Sequence, residues 1–82
     1  MAKSITPDDV MALLTEAVLA EPGQIRFTDT LAEVPGLDSS SAVYLMGEVL
    51  ARYEVELSLD DFRASVTVND FVNRLVAMVA AA

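Results

Sequence analysis

Residues 31–53, LAEVPGLDSSSAVYLMGEVLARY, decide the fold of this chain, because a turn, a capping signal and a helical period succeed one another there without a gap. Pro35 and Gly36 supply the turn and aim the chain into a helix. Asp38 and the serines at 39, 40 and 41 are the residue types that cap helix N-termini. On a wheel of about 100° per residue, Ala42, Leu45, Met46, Val49, Leu50 and Tyr53 then share one side, with Val43 at its margin. Ser40, Tyr44, Gly47, Glu48 and Ala51 fall on the other side. The pattern predicts a core helix through Tyr53 that presents a hydroxyl, Ser39, at its N-terminus.

The same signals recur on either side of it. Thr6, Pro7 and Asp9 read as a capping box with proline at the first helical position. Val10, Leu13, Leu14, Ala17 and Val18 form one apolar stripe, and Pro22 and Gly23 are expected to end that helix. Between Glu21 and Leu37 there is no helical period, and a connection this long needs anchoring. Ile25, Phe27, Leu31, Val34 and Leu37 are its candidate inward residues, with Asp29, Thr30 and Glu33 left in water. Ser58 with Asp61 opens a short helix whose inward residues are expected to be Leu59 and Phe62. Thr67 with Asp70 opens a last helix to about Val79, with Val68, Phe71, Val72, Leu75, Val76, Met78 and Val79 as its stripe and frayed alanines beyond. The expected fold is all-α: one domain, residues 1–82, forming an antiparallel four-helix bundle of three main helices and one short third helix, with a long loop between the first two.

Composition narrows the chemistry. The 82 residues include no cysteine, so disulfides, thiolate nucleophiles and thiolate metal ligands are excluded, and a hydrophobic content of 54% must supply the stability. There is no histidine, which removes the Ser-His-Asp arrangement and the commonest metal ligand. The acidic pairs Asp8/Asp9 and Asp60/Asp61 stand where helices open, and the helix dipole accounts for them without catalysis. With only Gly23, Gly36 and Gly47 there is no glycine-rich phosphate loop, and no calcium-loop spacing occurs. Neither an enzyme nor a metal site is expected. Five basic against thirteen acidic side chains give a formal charge of −8, which disfavours nucleic acid and membrane surfaces and favours a protein partner with a basic patch. The N-terminus MAKSITPDD lacks a signal-peptide core and the longest apolar run, Leu75 to Ala82, is too short to span a bilayer, so a cytoplasmic, free-standing monomer is expected.

Leu37-Asp38-Ser39, preceded by a proline-glycine turn and followed by Val43, Leu45, Met46, Val49 and Tyr53, resembles the second helix of acyl carrier proteins, whose Asp-Ser-Leu motif carries 4′-phosphopantetheine on its serine. The resemblance spans nearly the whole chain. It implies that a phosphopantetheinyl transferase moves the group from coenzyme A to Ser39, that Asp38 is the cap before it, and that Ser40 and Tyr44 contact partner enzymes. It also implies that Leu45, Met46, Val49 and Phe62 face an interior where an acyl chain is sheltered. Two departures stand out. The family's leucine after the modified serine is Ser40 here, and the acid-rich outer face is reduced to Glu48, with Tyr44 where an acid is common. The resemblance therefore points to a carrier of acyl or aminoacyl groups, served by loading and processing enzymes with basic docking patches, in a specialised pathway rather than housekeeping fatty-acid synthesis. The alternative is a non-covalent acidic helical adaptor that presents its second helix to a protein groove, with the serines acting only as a cap.

Overall fold

Each helix of this protein starts at a side chain that can accept or return a backbone hydrogen bond. The computed structural model describes residues 4–81 and contains α1 (Pro7–Ala17), α2 (Ser39–Tyr53), α3 (Leu59–Ala64) and α4 (Val68–Ala81), with one 3-10 turn at Leu31–Glu33. Met1 and Ala82, on which the free-standing and fraying expectations partly rest, lie outside the described residues. At α1 the Asp9 N–H donates to Thr6 Oγ1 at 3.1 Å while the Thr6 N–H donates to Asp9 Oδ2 at 3.0 Å. Thr67 and Asp70 repeat the exchange at α4, and the Ser58 N–H donates to Asp61 Oδ2 at 2.9 Å ahead of α3. These reciprocal bonds satisfy donors that a helix end otherwise leaves orphaned.

The end of α1 corrects the sequence expectation. The helix stops at Ala17, well before Pro22 and Gly23, because Leu19 turns left-handed at φ 56. The Leu19 N–H then donates to the Glu16 carbonyl at 3.2 Å and the Ala20 N–H to the Thr15 carbonyl at 2.9 Å, which is the Schellman closure normally made by glycine.

α1 packs on both α2 and α4, and α3 packs on α4. Val10 and Leu14 of α1, Leu45 and Val49 of α2, and Val68, Phe71, Val72 and Leu75 of α4 are fully buried at that junction. The buried face of α2 is narrower than the wheel suggests: Leu50 is half exposed, Met46 and Tyr53 are half-buried, and Val43 is exposed. Leu59 and Phe27, expected inside, are exposed, whereas Ile5, Val55 and Leu57 outside the helices are buried.

The long connection is anchored by its backbone. Carbonyls of Phe27 and Asp29 accept from the N–H groups of Asn69 and Val68 at 2.9 and 2.8 Å, so the loop caps the start of α4. In return the Leu31 N–H donates to the Val66 carbonyl at 2.9 Å, and Thr30 and Thr67 form an isolated antiparallel bridge. Ile25, Leu31 and Val34 drop inward as expected. Phe27 is held at this seam by its carbonyl, which leaves the ring at the surface. Among the described residues no helix is long and apolar enough to cross a membrane.

Candidate functional site

The approach to α2 is built on a close contact. Gly36 has φ +83, and a Cβ there would lie 2.9 Å from the Val18 carbonyl oxygen, so only glycine lets the turn pass against the end of α1. Two residues on, Asp38 caps α2. The Ser41 N–H donates to Asp38 Oδ1 at 3.0 Å, the Asp38 N–H donates to Ser41 Oγ at 2.9 Å, and the Ser41 hydroxyl reaches the Gly36 carbonyl at 2.9 Å. The Ser41 backbone N–H holds the Asp38 carboxyl below the usual carboxylate range, so the cap is ionised at neutral pH.

This geometry separates the serines. Ser41 is buried and its oxygen is committed to the cap and the turn. Ser39 and Ser40 are exposed, with no side-chain hydrogen bond among the described residues. They open in different directions. Ser39 borders a hollow of about 440 Å³ between α2, α3 and the 3-10 turn, walled chiefly by Leu31, Leu37, Ala42, Leu59 and Phe62, with Arg63 at its side. The ring of Phe62 is fixed there by stacking on Phe71, with centroids 4.7 Å apart. Ser40 borders a second hollow, with Glu16, Leu19, Gly36 and Tyr44.

Of the other residues singled out on the outward side of α2, Tyr44 donates its hydroxyl to Glu16 Oε1 at 2.7 Å, tying α2 to α1. That bond, with burial and the nearby carboxylates of Glu16 and Glu48, pushes its pKa up to about 12. Glu48 accepts from Arg52 Nε at 3.0 Å along the same helix. Ser40 and Tyr44 thus share a hollow, and Glu48, whose carboxylate also lies near the Tyr44 hydroxyl, pairs with Arg52.

Two participants were missed in the sequence. Ser41 stands three residues after Asp38, the capping spacing recognised at Thr6 and Asp9, so its role was legible. Arg63 gives no linear signal, since only the tertiary placement of α3 brings it to the hollow that Ser39 borders. Among the described residues no group of three or more carboxylates is placed to hold a metal.

The first turn of a fifteen-residue helix favours an anion through its free N–H groups and dipole, and the exposed Ser39 oxygen stands there beside an apolar hollow. A small helical bundle with an available hydroxyl in that position, and no histidine to activate it, has the form of a carrier whose group is installed by another enzyme. The model of the phosphopantetheine attachment site family matches residues 8–75, from the first turn of α1 into α4, and the chain belongs to that family. Its members carry covalently attached 4′-phosphopantetheine and interact with phosphopantetheinyl transferases and pathway enzymes. No curated protein matches the chain.

Proposed function

We propose that this protein is a single-domain carrier, not itself an enzyme, whose Ser39 bears the 4′-phosphopantetheine arm and which shuttles a thioester-bound acyl or aminoacyl group between enzymes of a specialised pathway. The observation that carries the choice of residue is the division of labour at the start of α2: Ser41 holds the cap, and of the two remaining hydroxyls Ser39 alone borders the hollow walled by Leu31, Leu37, Leu59 and Phe62. Asp38 caps the first turn, on which Ser39 stands. The Ser39 Oγ becomes one ester oxygen of the phosphodiester, and the helix N-terminus favours the charge placed there. When bound, the group supplies the thiol that holds cargo as a thioester. Leu31, Leu37 and Phe62 offer apolar surface to that cargo beside the attachment point. Ser40, Tyr44 and Glu48, on the outward side of α2, are the contacts to loading and processing enzymes with basic docking patches in this reading, in keeping with the formal charge of −8.

The test is modification of the apo protein with coenzyme A and a broad-specificity phosphopantetheinyl transferase, read by intact mass. Wild type and Ser40→Ala gain one phosphopantetheine and Ser39→Ala gains none. Modification that persists in Ser39→Ala moves the site, and absence of modification in wild type overturns the carrier reading.

A further inference from the structure

We propose that Arg63 is the cation that receives an oxyanion delivered to the Ser39 hollow on the attached arm. The inference rests on the carrier reading and extends it to the chemistry of what the hollow holds.

The charge balance at this end of the molecule needs such a group. A phosphodiester on Ser39 adds negative charge to a chain already at −8, next to a carboxylate, Asp38, that is held ionised by its bond from the Ser41 N–H. The polar groups around the hollow are otherwise engaged. Asp38 is turned to the first-turn amides, and the Ser65 hydroxyl donates to the Asp61 carbonyl at 2.9 Å. Arg63 is the one cation that lines the hollow among the described residues. It is also the arginine with the loosest ion pair. Arg52 meets Glu48 at 3.0 Å and Arg74 meets Asp61 at 2.8 Å, whereas Arg63 lies 3.6 Å from Asp60, with the two side chains 77% and 89% exposed. An exposed pair at that distance contributes little, so its exchange for another oxyanion is cheap. A guanidinium also matches phosphate and carboxylate oxygens with two parallel N–H donors. Arg63 stands on the last turn of α3, beside the exposed Leu59 and the half-buried Phe62, so a group lying along those side chains ends near it.

The oxyanion has two sources on such an arm, the phosphodiester itself or a carboxylate at the far end of the cargo. Both are read from the Arg63 Nε–H resonance in four forms of the full chain: apo, holo with a free thiol, butyryl-loaded and succinyl-loaded, each verified by intact mass. Arg26, Arg52 and Arg74 serve as internal references. A displacement of the Arg63 signal alone between apo and holo assigns the phosphodiester. A displacement confined to the succinyl form assigns a cargo carboxylate. In either case Asp60→Asn, which removes the competing partner, enlarges the displacement, and Arg63→Gln, which removes the resonance, identifies it. An Arg63 signal that stays with the reference arginines in all loaded forms overturns this proposal and leaves the carrier reading intact. A chain that takes up no arm at all overturns the carrier reading itself, and this proposal with it.

Discussion

Asp38 and Ser41 bond each other in both directions across the first turn of α2, carboxylate to backbone N–H at 3.0 Å and hydroxyl to backbone N–H at 2.9 Å. Because the Ser41 hydroxyl also reaches the Gly36 carbonyl, one buried oxygen joins the turn, the cap and the helix. Ser41→Ala removes the acceptor of the Asp38 N–H and the donor to Gly36 together. The expected loss is about 1–2 kcal/mol in urea unfolding, the range for a lost cap with a buried polar group left unpaired. Uptake of phosphopantetheine per folded molecule is expected to be retained. A variant as stable as wild type contradicts the structural role assigned to this serine.

Gly36 is the second support of the site. Alanine there combines a left-handed backbone, which costs an L-residue roughly 1–2 kcal/mol, with a Cβ 2.9 Å from the Val18 carbonyl oxygen. The backbone oxygen cannot rotate away as a side chain can. Gly36→Ala is therefore expected to lose at least about 2 kcal/mol, measured by the same unfolding experiment. Gly23 is a control, since it shares a positive φ but has open space where its Cβ would stand. Gly23→Ala is expected to cost less.

How far these features are legible before folding depends on whether they are local. The helix starts at Thr6, Ser58 and Thr67 can be read from a spacing of three residues, because a capping box involves nothing beyond its own turn. The stripes of α1 and α4 are legible for the same reason, since both helices bury a face in the junction. Leu50, Leu59 and Phe27 are apolar residues whose exposure depends on what lies opposite them, and no period along the chain carries that information. Val55 and Leu57 are the converse, loop residues buried by the packing of neighbouring helices. At the site, the Asp38-Ser39 motif is local and readable, whereas the hollow and the position of Arg63 arise only when α3 folds beside α2 and the 3-10 turn.

The capping aspartates make the fold acid-sensitive. Backbone N–H donors lower the pKa of Asp9, Asp38, Asp61 and Asp70, and the Thr67 N–H is the main cause at Asp70. A carboxyl whose folded pKa is depressed contributes stability above its unfolded pKa, near 3.9, and that contribution fades as pH falls through the folded value. Asp70→Asn isolates one cap from the changing net charge. The gap between wild type and this variant in urea unfolding is expected to be full at pH 6, to narrow below about pH 4, and to close only once pH has fallen through the depressed folded pKa of Asp70. A gap that is constant across this range contradicts an electrostatic cap.

Leu19 is, with Glu54, one of two non-glycine residues among those described that take a left-handed backbone. It adopts φ 56 to close α1, a conformation that costs an L-residue roughly 1–2 kcal/mol, yet its side chain is 90% exposed and gains almost no burial in return. The backbone bonds require it: without the left-handed residue the Glu16 and Thr15 carbonyls lose the N–H groups of Leu19 and Ala20. Glycine meets the same geometry without a Cβ, at an entropic cost of about 0.5–1 kcal/mol in the unfolded chain. Leu19→Gly is accordingly expected to raise stability by up to about 1 kcal/mol. Leu19→Ala keeps the Cβ and with it the strain, so it is expected to stay near wild type. Urea unfolding of the two variants separates backbone strain from side-chain packing: a stabilised glycine variant beside an unchanged alanine variant supports strain, whereas loss of stability in both means that the exposed leucine contributes packing after all.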